Sequence, residues 1–377
     1  MSRTFLGALT GLRWSARALA AAMPGQRRRL AWRELGNKLE AYETFRRAAH
    51  LAETAAAAPT ARAAPPLPPA AGHGPPLAAL VEPALSLGLG RMLWTLEGLG
   101  YGYAERRAGA EAEPRDWLAA DVAGLAAASL IPLHCGIGLS LARRGLAAGA
   151  LATTAELRRL LAGYLSLCRE SASPDHAPCL IEALGFITRL RLAWRAAEVA
   201  GELARLDAEA HAYFWHGVGR ALYFLPGSLA PWSSARRRPA AWVEREAPAG
   251  VARDNALAGL AWAITLVNLR QPRVLEEFLR RHATQLDAAP AFARGVGSAI
   301  LLSHHCAPAD PWLAAWRRHR PQPPGGELAR LWQAHAGGPA EAALADADRR
   351  PGPEARLGEL FRVRPAPDAA AEVAVEV

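Results

Sequence analysis

The chain has a single lysine, Lys38, among its 44 lysines and arginines. So one-sided a use of arginine, in a chain this rich in alanine, reads as GC-rich coding bias and not as a surface selected for an acidic partner. The net charge of +9 therefore implies no nucleic acid, and no arginine cluster interleaved with aromatics forms a recognisable nucleic-acid module. Cysteines are few. Cys135, Cys168, Cys179 and Cys306 show no C-x-x-C spacing and sit in apolar runs, as buried free thiols do, which fits a reducing cytoplasm. No uninterrupted apolar stretch reaches the about 18 residues of a membrane helix. Alternating valine, isoleucine and threonine are missing as well, which argues against strands.

Chemical signatures are equally sparse. There is no H-E-x-x-H, no E-x-x-H and no G-x-S-x-G. "SHHCAP", with His304, His305 and Cys306, is the densest group of potential metal ligands, but it has no partner motif, so neither a metal nor a cofactor is expected. Cys135 beside His134 makes no nucleophile pair, because adjacent residues on a helix point about 100° apart.

What the chain does have is 377 residues that are 51% hydrophobic, enough for a sizeable core. Residues 1–58 read as a basic helical arm. Its start, "MSRTFLGALTGLRWSARALAAAMPG", has the flavour of a signal segment, but Arg13 and Arg17 interrupt the apolar region, so a basic amphipathic helix is expected, with membrane contact as the lesser alternative. Residues 59–76, rich in proline and alanine, read as a linker that leaves the arm loosely docked. Residues 77–320 form the helical body, interrupted by a loop at "RRRPAAWVEREAPAG", and residues 321–377 form a tail with short helices.

Internal similarity organises the body. "LEGLGY" from Leu96, "IEALGF" from Ile181 and "LAGLAW" from Leu257 align without gaps at intervals of about 80 residues. A second series, "GIGLSL" from Gly136, "GVGRAL" from Gly217 and "GVGSAI" from Gly295, interleaves with the first. Small residues therefore recur about every 39 positions, the length of a helix pair in stacked arrays. The expected fold is all-α: about six stacked helix pairs in three modules, like an α-α superhelix.

Each glycine inside a helix costs roughly 1 kcal/mol relative to alanine. Two readings of Gly136, Gly138, Gly217 and Gly219 explain that cost. The glycines let neighbouring helices approach closely, or they open a helix whose free amides face a ligand. Other candidates are the polar exceptions on apolar helices. His216 and Arg220 share one helical face, Glu97 and Glu182 hold matching repeat positions, and Ala258 stands there in the third. Arg220 with a glutamate is either a pair that ties repeats together or, with His216 as acid or base, part of a ligand site. Trp94, Tyr101, Phe186, Trp215 and Tyr223 would supply aromatic walls.

"GIGLSLAR", "EALGF" and above all "GVGRALYF", preceded by "RRRLAWRELGNKLEAYETFRRAAHLAE", resemble the uncharacterised bacterial proteins encoded beside enediyne polyketide synthases and in related clusters. The resemblance covers roughly Arg27 to Leu302. It implies a role in assembling or tailoring a polyene-derived natural product, with a polyene-type small molecule or a biosynthetic enzyme as partner, and it carries over no established activity. Two functions stay open: an accessory protein, enzymatic or not, that holds a hydrophobic intermediate between the inner helices, and a non-catalytic scaffold for partner enzymes.

Overall fold

The computed structural model describes residues 3–55, 77–110, 124–149, 153–173, 175–225, 239–286, 290–349 and 360–363, and every regular element among them is helical. The linker expected at 59–76 lies outside the described residues, as does the chain end beyond 363. Among the described residues no helix is long and apolar enough to cross a membrane.

Helix α1 (Arg3–Ala22) turns at Gly25, whose φ of 83° suits a residue without a side chain, into α2 (Gln26–Thr54). Arg13 pairs with Glu43 at 2.9 Å and Arg17 with Glu40 at 2.7 Å, which uses the basic face of α1 internally. α3 (Leu77–Leu85) leads into α4 (Leu89–Ala110), and α5 is Ala127–Gly149. Glu40 is the junction of this region: Arg91 of α4 donates to it at 3.2 Å and Arg270 lies at 3.5 Å. Burial alone would raise the Glu40 carboxyl, but the charges of Arg270 and Arg17 and the bond from Arg91 bring it below its ordinary value.

The remaining helices alternate between interior and periphery. α6 (Thr154–Ser171) starts with a reciprocal cap between Thr153 and Glu156, α7 is Ala177–Arg191, and α8 is Ala196–Leu206. α9 (Ala208–Phe224) is capped by Asp207, which accepts from the amides of Glu209 and Ala210. Then follow α10 (Pro239–Glu246), α11 (Val251–Val267), α12 (Pro272–Leu286), α13 (Pro290–Cys306) and α14 (Pro311–Arg318). α15 (Glu327–Trp332) and α16 (Gly338–Arg349) end the described helices. α10 corrects the loop expected at "RRRPAAWVEREAPAG": Pro239 begins a helical turn, where its missing amide costs nothing, and Val243 anchors it in the core.

α9 from Ala212 to Tyr223 and α11 from Asn255 to Val267 are buried all round, as interior helices are, whereas α6, α8 and α12 keep a polar face. Packing runs α2 on α4, α4 on α5, α5 on α7, α7 on α9, α9 on α11 and α11 on α13. The row turns back on itself, since α2 also touches α11 and α12, and α13 touches α4 and α5.

Glycine sets the approach of these helices. A methyl group on Gly136 would collide with the carbonyl oxygen of Glu97, one on Gly217 with that of Glu182, and one on Gly295 with that of Ala258. The second glycines face the next helix, Gly138 against Leu180 and Gly219 against Ala256. All four of these candidate glycines are buried in mid-helix, so the alternative of a helix opening with free amides does not apply to them.

α2 is held in the same way. Gly98 abuts the carbonyl of Phe45, and Gly102 that of Ala49, with Ala48, Ala49 and Ala52 buried. This is a tighter fit than a loosely docked arm implies. Ala49→Leu is therefore expected to cost about 1 to 2 kcal/mol by overpacking, read as a lower denaturant midpoint. An unchanged midpoint would restore the loose arm.

Candidate functional site

His216 and Arg220, one turn apart on α9, look towards α7 and α4. The guanidinium of Arg220 donates from Nη1 to Glu182 Oε2 at 3.2 Å and from Nη2 to Glu97 Oε1. His216 Nδ1 meets Glu182 Oε1 at 3.2 Å. All four side chains are buried, and the guanidinium lies 4.9 Å from the ring centre of Phe186 and 5.1 Å from that of Trp262. An ionised carboxylate only accepts hydrogen bonds, so Nδ1 of His216 donates. Its Nε2, like Trp262 Nε1, has no hydrogen-bond partner among the described residues. Phe361 closes that side, its ring 5.5 Å from His216 and 5.8 Å from Trp262. Asn255 holds this strap in place by accepting from the Val363 amide at 2.7 Å.

The two carboxylates differ in their electrostatics. Burial raises both, but at Glu182 the charge of Arg220 and the contact with His216 outweigh it, and the carboxyl falls below its ordinary range. At Glu97 burial wins over Arg220, helped by the nearby charge of Glu182, and the carboxyl is pushed up. Arg220 is held firmly protonated by the two carboxylates against the effect of its own burial. Arg220 thus pairs with both carboxylates, and the two differ in direction, Glu182 lowered and Glu97 raised.

Glu97 and Arg220 also form the polar end of a cavity of about 400 Å³. Its walls are otherwise apolar apart from Lys38: Leu39, Tyr42 and Phe45 from α2, Trp94 from α4, Leu139 from α5, Phe186 and Leu190 from α7, and Phe224 from α9. Tyr42 and Leu190 stand about the opening, 43% and 40% exposed, while the polar end is buried. Lys38 lies 3.0 Å from Glu34 and covers the face of Tyr223 at 3.7 Å, so its charge is matched within the wall.

The structure divides the residues singled out from sequence. Glu97, Arg220, Phe186 and Trp94 line the cavity; Glu182 and His216 stand behind Arg220 and hold it. Tyr223 accepts from Asn268 at 2.7 Å, Trp215 donates to His211 at 3.0 Å, and Tyr101 meets Phe45 edge-on, each outside the cavity lining. Gly136, Gly138, Gly217 and Gly219 touch neighbouring backbone and position the helices that carry the cluster. Sequence reasoning missed the wall given by α2, although Lys38, Tyr42 and Phe45 fall at i, i+4 and i+7 on one face.

The other candidates lie elsewhere. His134 stacks on His176 with ring centres 4.4 Å apart, and its Nε2 accepts from the Ser173 amide at 3.0 Å. Burial, and then the neighbouring His176, lowers its pKa to about 3, so it is a neutral structural link. Its contribution to stability is present above the ordinary histidine pKa and is lost as pH falls towards the lowered value. The thiol of Cys135 is raised by its bond with Cys179 and by burial, the reverse of an activated nucleophile. Near "SHHCAP", His305 reaches the Ala127 carbonyl at 3.4 Å and Cys306 is buried with its thiol pushed up to about 12. Among the described residues no three histidine, cysteine or acidic side chains are grouped so as to hold a metal ion.

Compared with protein-family models, with curated proteins and with solved structures, the chain matches none.

Proposed function

We propose that the protein binds an elongated, mostly apolar small molecule in the α2–α4–α7–α9 cavity, with a neutral polar end of the ligand directed at Glu97 and Arg220. The observation that carries this reading is an apolar cavity, of a volume typical for small-molecule sites, ending on one buried polar pair. The charge of Arg220 is already matched by Glu182 and Glu97, so an anionic head would gain little, while a carbonyl can accept from the Glu97 carboxyl below its raised pKa and a hydroxyl can bond to it in either state. The ligand class is a polyene-type intermediate of natural-product assembly, an assignment that rests on the sequence resemblance. The matched glycine contacts at Gly136, Gly217 and Gly295 support a reading of the body as stacked helix pairs in three modules, in which the cluster joins the first module to the second. A scaffold role is the second reading. It is favoured by the mutual pairing of His216, Glu182, Arg220 and Glu97, which would tie the modules together without any ligand.

Titration with a linear conjugated polyene alcohol, followed by quenching of tryptophan emission, separates the two. Leu139→Trp fills part of the cavity and is expected to weaken binding at least tenfold while leaving the melting curve near that of the parent protein. Absent binding, or binding indifferent to this substitution, leaves the scaffold. With a polyene ketone in place of the alcohol, binding is also expected to weaken as pH rises through the raised Glu97 pKa, because an ionised carboxyl no longer donates to a carbonyl. Glu97→Gln keeps a donor and should flatten that profile; an unaltered profile would remove Glu97 from the site.

A further inference from the structure

The start of α2 borders a second concavity, of about 790 Å³, completed by α12 and the segment around His319. Five arginines line it: Arg27, Arg28, Arg273, Arg280 and Arg320. Only two carboxylates, Glu276 and Glu277, face them, and both are already engaged. Glu276 meets His319 Nε2 at 2.6 Å. Glu277 takes two bonds of 2.9 Å from Arg280 and one of 2.5 Å from Arg281, leaving Arg27 at 3.9 Å. Arg320 donates to the carbonyls of Arg317 and His319, both at 2.8 Å, which fixes the side chain without neutralising it. Arg28 and Arg273 are exposed and make no ion pair with a carboxylate among the described residues. The first turn of α2 adds to this charge: no side chain caps it, so its amides and the positive end of its dipole are open to an anion.

We infer that this groove is a binding site for the oligophosphate part of a small molecule, with Arg28, Arg273 and Arg320 as its principal contacts. Three unneutralised guanidiniums from separate segments match an anion with several phosphoryl oxygens better than a single carboxylate, because each planar guanidinium pairs with phosphate in a two-pronged geometry. The lining offers no phenylalanine, tyrosine or tryptophan, and its one ring, His319, is held by Glu276 at 2.6 Å and packs edge-on against Trp332, so the groove is suited to the phosphates more than to bases. This site shares no lining residue with the apolar cavity, and either can fail without the other.

The test is calorimetric titration of the full chain with inorganic triphosphate, pyrophosphate and orthophosphate. Saturable binding is expected, strongest for triphosphate and weaker as salt increases. Arg28→Gln, Arg273→Gln and Arg320→Gln should each lower affinity about fivefold to tenfold, whereas Arg159→Gln, an exposed change on α6, should not. Melting curves of all four variants identify any loss that comes from unfolding. Adenosine diphosphate binding more tightly than pyrophosphate would identify a nucleotide source, and co-sedimentation with phosphatidate vesicles, lost in the same variants, a lipid headgroup. Binding that does not saturate, or that Arg159→Gln weakens as much as the groove variants, would overturn the inference.

Discussion

Arg220→Ala is expected to cost about 3 to 5 kcal/mol of folding stability, the range for removing one partner of a buried ion pair. The magnitude comes from what stays behind. Glu97 and Glu182 are both buried and both receive Arg220, so its loss strands two carboxylates in an apolar surround, and His216 is the sole remaining partner of Glu182 in the cluster. The guanidinium also fills the space between Phe186 and Trp262, so a cavity term adds to the electrostatic one. The pH dependence distinguishes these terms. In the parent protein the lowered Glu182 carboxyl contributes stability that is present above its unfolded pKa and is lost as pH falls through the folded value. Glu97, raised, has the opposite sign: its contribution is complete below the unfolded pKa and is lost as pH rises through the folded value. Without Arg220 both carboxyls follow the sign of Glu97. The deficit of the variant should therefore shrink towards about pH 4 and grow towards about pH 8. Urea melts at the two pH values measure this. A deficit independent of pH would assign the loss to packing alone, and a melting temperature unchanged at both values would contradict the buried pairing.

Much of this cluster was legible in the sequence because it breaks a pattern. Glu97, Glu182, His216 and Arg220 interrupt helical stretches that are otherwise apolar and, in α9, buried all round. A charge placed there must have a partner, and the matching positions of Glu97 and Glu182 pointed to it. The glycines were legible for the same reason, since a pair two residues apart in a helix has to offset its own cost. The role of α2 was not legible. Its buried Glu34, Lys38, Glu40 and Glu43 look in sequence like a solvated face: Glu34 and Lys38 pair with each other, and the partners of Glu40 and Glu43, namely Arg13, Arg17, Arg91 and Arg270, are scattered along the chain. The proline-rich stretch after α2 suggested separation, yet docking is decided by Ala48, Ala49 and Ala52 meeting Gly98 and Gly102, a contact between small residues that leaves little mark in hydropathy. Phe361 was invisible for a related reason: one aromatic residue in a short segment has no periodicity to betray it.

Gly217→Val is the second large effect, expected to cost about 3 kcal/mol or more. In most helices replacing glycine is favourable, and two positions of this chain provide that control. Nothing lies within 4 Å of where a side chain would start at Gly163 on α6 or at Gly201 on α8. Gly163→Ala and Gly201→Ala should each stabilise the protein by up to about 1 kcal/mol through helix propensity alone. At Gly217 a new side chain meets the carbonyl of Glu182 and the amide nitrogen of Phe186, backbone atoms that no rotamer change can move aside. The two helices have to separate, and the residue they separate is Glu182 itself. The 3.2 Å contacts from His216 and Arg220 to Glu182 would then lengthen, so the packing defect becomes an electrostatic one. Two changes that act on one contact are not additive. The double variant Gly217→Val with Arg220→Ala should therefore lose measurably less stability than the sum of the single variants, whereas Gly163→Ala with Arg220→Ala should add. Additivity in both pairs would mean that the glycine and the ion pair serve separate purposes, and that helix approach does not set the geometry of the site.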